Sequence, residues 1–227
     1  EMASVAEWNR ADHLFDGDLF AHPLAACDRA TLVDTLLQGG FPEAVARSSG
    51  KRRAAWFESY LQTILQRDVR ELANLEQLTE VPHLLQLLAT RSASLLNQAE
   101  LSRTSRLTQT TLKRYLSLLE TLFLVIRLPA WSRNPSKRLV KSAKVFLPDT
   151  GMLAWLTDTS ADKLLTMPGL PGSLVETFVA CELLKHLAFS SKDLSLWHYR
   201  TQTDIEVDFL LEDRRGRLTG IEVKASA

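Results

Sequence analysis

"EVDFLLEDRRGRLTGIEVKAS", residues 206–226, is a pair of apolar runs around a polar turn at Arg214, Arg215 and Gly216, the pattern of a β-hairpin. Side chains of a strand alternate faces, so Glu222 and Lys224 project to one side and Val223 to the other. Asp208 lies on the partner strand. A charge carried into a core is costly unless it is paired or binds a metal, so these positions call for a common partner. Upstream, "SLVETFVACELLKHLAFS" (173–190) is expected as a helix capped by Ser173, and "LSLWHYRT" (194–201) as a strand. Helix followed by three strands is a small α/β unit.

Glu176 on the helix would join Asp208 and Glu222 at one end of that sheet. Three carboxylates suit a hard cation such as Mg²⁺ or Mn²⁺, which takes oxygen ligands. Lys224 beside them would place or activate the attacking water, an arrangement suited to phosphodiester hydrolysis. The alternative is a plain ion pair of Lys224 with Asp208 or Glu222. Arg200 has two readings as well: a phosphate contact, or an ion pair with Glu206 or Asp204. His13, His22, His83, His186 and His198 are scattered without metal-ligand spacing.

Working toward the N-terminus, "TGMLAWLTDTSADKLLTMPGLPG" (150–172) reads as a loop-rich bridge, with a boundary in its Pro/Gly cluster. Residues 80–149 form a different pattern. "VPHLLQLLATRSAS" (81–94) and "LNQAELSRTS" (96–105) read as helices, the second with Asn97 or Ser94 as N-cap. Thr108 then opens an amphipathic helix with Leu112, Tyr115, Leu116, Leu119 and Leu122 on one face. "FLVIRLPAWS" (123–132) and "LVKSAKVFLPD" (139–149) read as strands joined by the loop "RNPSKR". Three helices and a hairpin are the parts of a winged helix-turn-helix, whose second helix of the pair enters the major groove of DNA.

Charge follows the same boundary. The chain has 227 residues and a net charge of zero. Between Arg91 and Lys144, however, eleven Lys and Arg face only Glu100 and Glu120, a local excess that points to a polyanion such as DNA. Lys113 and Arg114 would ride on the recognition helix, with Arg103 and Arg106 just before it. Arg133, Lys137, Arg138, Lys141 and Lys144 would decorate the wing.

Residues 1–79 read as a helical lid or connector with no core of its own. Gly39 and Gly40 stop a helix, and Trp56, Tyr60, Leu61, Ile64, Leu65 and Val69 share a helical face. The longest apolar run, Leu122–Leu128, is broken by Arg127 and is far short of a membrane span. Cys27 and Cys181 are too few for a disulfide framework, so a reducing cytoplasm is the expectation. The fold class is therefore mixed α and α/β: a helical segment at 1–79, a winged helix at 80–149, a linker at 150–171 and an α/β unit at 172–227.

Helix-Glu176, strand-Asp208 and the E-x-K of Glu222–Lys224 resemble the PD-(D/E)xK nuclease core, with Val207 where that pattern has proline. The chain also resembles the C-terminal part of a bacterial and archaeal AAA+-type ATPase family. The matching stretches are "GGFPEA" (39–44), "WFESYLQTILQRDV" (56–69), "LLNQAELSR" (95–103), "KRLVKSAKVFLPDTGM" (137–152) and "GSLVETFVACEL" (172–183). The resemblance implies a partner ATPase domain N-terminal to this region, ATP bound through that domain, and a nuclease-like C-terminal unit that the chain's end at Ala227 would leave incomplete. No G-x-x-x-x-G-K-[ST] occurs, so no ATPase activity is expected of these residues. Two functions follow: a DNA-binding module with metal-dependent cleavage, or a non-catalytic DNA-binding or protein-interaction regulatory module.

Overall fold

In the computed structural model, residues 9–17, 27–69, 80–201, 203 and 205–225 are described. The expected helical reach through 70–79, and His22 and Asp204, lie outside them. The architecture is mixed helix and sheet, with two small antiparallel three-stranded sheets among the described residues. In chain order the elements are α1 (Arg10–Asp16), α2 (Arg29–Gln38), α3 (Pro42–Val45), α4 (Gly50–Ile64, continued by a π-turn) and α5 (Glu80–Ala89). Next come β1 (Ser94–Leu95), α6 (Gln98–Ser105), α7 (Gln109–Thr121), β2 (Ile126–Leu128), α8 (Pro135–Val140) and β3 (Lys144–Phe146). The chain continues with α9 (Thr150–Leu156), α10 (Ala161–Thr166), α11 (Gly172–Ala188), β4 (Leu194–Arg200), β5 (Glu206–Asp213) and β6 (Leu218–Ile221). Among the described residues, no helix is long and apolar enough to cross a membrane.

Local chemistry sets most of these boundaries. Asn97 caps α6 by accepting from the Glu100 amide, and Thr108 caps α7 by accepting from the Thr111 amide. These side-chain oxygens satisfy amides that have no partner within the helix. Helix α11 begins at Gly172 after Pro171, without a side-chain cap, so Ser173 does not serve as one.

Two other expectations change. Asn134 caps Pro135, and this helix-start pair turns the expected loop and the start of the expected strand into α8. Only Lys144–Phe146 remains as strand, pairing with both β1 and β2 in the order β1-β3-β2. The expected linker holds α9 and α10. Helix α9 is buried through Met152, Leu153, Ala154 and Leu156.

Two apolar cores meet at β3. The larger gathers α2, α4, α5, α6, α7, α9 and Val145, so the N-terminal helices share a core with the residues that follow. The smaller gathers Leu128, Phe146, Ala180, Leu183, Leu196, Phe209 and Leu211. Alternation along the strand explains this: Val145 faces the first core, while Lys144 and Phe146 face the second. The Phe146 and Phe209 rings meet at 5.9 Å.

One clasp joins two of the quoted motifs. Gly39 ends α2 at φ 71°, and a β-carbon there would overlap the Asp149 carboxylate. Asp149 is buried, accepts from the Gly40 amide, and caps α9 by accepting from Met152 N at 2.7 Å. The glycine pair is thus a docking surface for a carboxylate as well as a helix stop.

Candidate functional site

The C-terminal hairpin forms with its turn at 214–217, where Asp213 Oδ1 accepts from the Arg215 and Arg217 amides. Strand β5 pairs with β6 through Phe209–Ile221, and β6 ends there. Glu222 and Lys224 therefore lie just beyond the strand. Both are exposed and pair with each other at 2.6 Å. Asp208 closes the strand end by accepting from Val223 N at 2.9 Å.

The charged centre forms elsewhere. Lys144 is 2% exposed. Its Nζ donates to Glu176 Oε1 at 2.7 Å and lies 2.7 Å from Glu206 Oε1 and 3.3 Å from Asp208 Oδ1. An ammonium has three donors and no acceptor, and three carboxylates surround it. Arg200 adds a second positive charge at Glu206, 3.2 Å away.

Burial pushes the Glu176 carboxyl up to about 6, although its hydrogen bond from Lys144 works against that rise. Burial alone would lower the Lys144 ammonium, but Glu176 and Glu206 hold it above its ordinary value. Lys144 therefore stays charged.

Of the predicted site residues, Glu176 and Asp208 come together, Glu222 and Lys224 stand apart as a surface pair, and Glu206 takes the third place. Glu206 and Asp208 are two apart on one strand and so share a face, a signal present in the sequence. Lys144 is corrected: it does not decorate an exposed wing, because strand alternation aims it into the second half.

The expected Mg²⁺ or Mn²⁺ needs oxygens converging on a free position. Among the described residues no three His, Cys, Asp or Glu are grouped so as to hold a metal. The three carboxylates that do converge are bonded to an ammonium at their focus. As arranged, these residues do not fit a metal.

Beside this centre, His198 is buried at an irregularity in the β4–β5 pairing. Its backbone joins the segment after β2, donating to Pro129 O and accepting from Trp131 N. Its ring Nε2 lies 3.0 Å from the Ser142 carbonyl, which can only accept, so Nε2 carries the hydrogen. Nδ1 is buried without a partner, and burial lowers the ring's pKa to about 4.

The basic block divides. Arg103, Arg106, Lys113 and Arg114 are exposed on α6, α7 and the turn between them, and Arg133, Lys137 and Lys141 are exposed around α8. Arg138 is drawn inward, gripping Glu212 with two bonds of 2.7 and 2.8 Å and lying over the Trp131 and Trp197 rings. Its hydrogen bonds hold the Glu212 carboxyl below its ordinary pKa, with Trp131 and the guanidinium charge adding to the effect. A groove of about 830 Å³ runs between α6 and α8, with Asn97, Arg127, Leu139 and Lys141 among its walls.

The family model described as Domain of unknown function (DUF8612) matches residues 29–163, more than half of the chain. The chain belongs to the DUF8612 family. A second model, Domain of unknown function (DUF4143), matches residues 171–227, and that domain is found in AAA-ATPase-associated proteins. The DUF8612 part ends before α11 and the DUF4143 match begins with it, so Lys144 and its three carboxylates bridge the two. Similar relatives include two uncharacterized proteins, Mb2031c of Mycobacterium bovis and Rv2008c of Mycobacterium tuberculosis. Each is 32% identical over 191 residues, covering 84% of this chain and 42% of the relative. The chain thus spans about two fifths of the length of these relatives. No solved structure matches.

Proposed function

We propose that the chain is a non-catalytic, nucleic-acid-binding regulatory module that works with an AAA+-type ATPase domain, through which ATP would act. The observation that carries this reading is the placement of positive charge on α6 and α7. Arg103, Arg106, Lys113 and Arg114 are exposed at the surface, while Arg138 and Lys144 are drawn into the fold against Glu212 and Glu176. The order α5-β1-α6-α7-β2-α8-β3, with strands paired β1-β3-β2, is consistent with a winged helix whose β2–β3 connection carries a short helix. In that arrangement α7 would lie in the major groove, and the C-terminal unit, a PD-(D/E)xK-like sheet and helix, would serve as platform. The DUF4143 match supports the ATPase association. A cytoplasmic setting suits two free cysteines and a nucleic-acid partner.

The test is fluorescence anisotropy with labelled duplex and single-stranded DNA across a salt series. Binding should weaken steeply with salt, because neutralised phosphates release counterions. The Lys113→Glu/Arg114→Glu variant should bind at least tenfold more weakly. Salt-insensitive binding, or none to either DNA at low ionic strength, would overturn nucleic-acid binding and leave a protein-interaction module.

A further inference from the structure

We propose that Lys144 is a tethered cation that replaces a divalent metal in the carboxylate centre of Glu176, Glu206 and Asp208, making this unit metal-free by construction. This inference goes beyond the regulatory reading and does not depend on nucleic-acid binding. Three features carry it. The Nζ is the common neighbour of one oxygen from each acid, at 2.7, 2.7 and 3.3 Å. Those acids come from two elements, helix α11 and strand β5, whose apolar packing gathers three like charges around the one ammonium. The lysine belongs to β3, the middle strand of the other sheet, paired on both edges, so its backbone is held in place.

The geometry differs from a lysine serving a metal-bound water. Such a lysine would stand beside the cation, and Lys224 is the residue whose E-x-K position suggests that role. It is instead exposed and paired with Glu222. Lys144 occupies the focus itself. A divalent ion and an ammonium cannot share a point between the same oxygens, since their like charges would repel at contact distance. Removing the ammonium would leave three carboxylates around one position. Oxygens about 3 Å from that point need move only about an ångström to reach the 2.0–2.1 Å that Mg²⁺ takes, and Mn²⁺ favours the same oxygen donors.

The experiment is a Mn²⁺ titration of the chain and of Lys144→Ala, with free Mn²⁺ read by electron paramagnetic resonance. The unaltered chain should show no Mn²⁺ binding that Asp208→Asn diminishes. Lys144→Ala should bind one Mn²⁺ at least tenfold more tightly, and Lys144→Ala/Asp208→Asn should lose that gain. Thermal unfolding covers the case of a weakly folded variant: Mn²⁺ should raise the midpoint of Lys144→Ala by several degrees and leave that of the unaltered chain in place. A stoichiometric Mn²⁺ site in the unaltered chain, weakened by Asp208→Asn, would overturn the proposal. So would a Lys144→Ala chain that Mn²⁺ neither binds nor stabilises.

Discussion

The Lys144 ammonium lies 2.7 Å from Glu176 Oε1, joining the middle strand of the first sheet to the long helix of the second half. Breaking a buried pair is far more damaging than its net worth suggests, because the partner is left buried and uncompensated. Lys144→Met should therefore lower stability by about 3–5 kcal/mol. Glu176→Gln, which removes one acid and leaves the ammonium two others, should cost distinctly less. Urea unfolding monitored by tryptophan fluorescence measures both, and equal losses would contradict the shared-centre geometry.

Arg138 and Lys113 belong to one basic block, yet their neutralisation should have separate effects. Lys113→Ala should leave stability nearly unchanged and reduce the salt dependence of DNA binding by about one phosphate contact. Arg138→Ala removes the two-bond grip on Glu212 and the packing over Trp131 and Trp197. It should destabilise the chain by about 2–4 kcal/mol, the cost of leaving a largely buried carboxylate without its charged partner. Thermal melts alongside anisotropy separate the two outcomes.

Gly39 and Gly17 both sit at positive φ, 71° and 79°, but only Gly39 faces a neighbour. Gly17→Ala should cost about 1 kcal/mol for the left-handed backbone alone. Gly39→Ala adds a clash with the Asp149 carboxylate and should cost more than about 2 kcal/mol. Comparable losses in chemical denaturation would mean that the Asp149 clasp gives way freely.

His198 is neutral in the fold, with its pKa lowered from 6.5 to about 4 by burial. The unfolded chain binds that proton more readily. Its stabilising contribution is therefore present above pH 6.5 and lost as pH falls through 4, roughly 3 kcal/mol over the window. Glu176, raised from 4.5 to about 6, has the opposite sign: its contribution is present below 4.5 and lost as pH rises through 6. Stability in the Glu176→Gln variant should consequently fall more steeply on acidification from pH 6.5 to 4 than in the unaltered chain. His198→Gln, which keeps a donor for Ser142, should flatten the profile. Unfolding free energies measured every half pH unit give the comparison.

Helix α7 and the C-terminal hairpin were legible because each repeats one signal: Leu112, Tyr115, Leu116 and Leu119 at helical spacing, and two apolar runs around Arg214–Gly216. Asp208 and Glu176 were legible as charges within apolar surroundings. Their partner was not. Lys144 is 32 residues from Glu176 and 64 from Asp208, and only the pairing of β3 between β1 and β2 decides which way it points. Its local context, four more basic residues within Arg133–Lys141, argued for solvent. Glu222 differs for a related reason: β6 ends one residue before it, so strand alternation no longer sets its direction. The cap of helix α9, Asp149, directly precedes it and is a local signal, but the helix opens on Thr150-Gly151, and the reason for that glycine, its close approach to Gln38, lies far away in sequence.

Strand β3 gives Val145 to one core and Phe146 to the other. Neither half then owns a complete interior, and the sequence boundary near residues 163–171 is not a seam along which the protein divides. Cutting there would leave the C-terminal piece with Phe209 bare and three acids lacking their cation, and the N-terminal piece with an aromatic ring and an ammonium in water. Such halves should unfold when apart and recover order only on mixing. In the intact chain both should melt together in a single transition, so that whatever loosens one half is felt at once by the other.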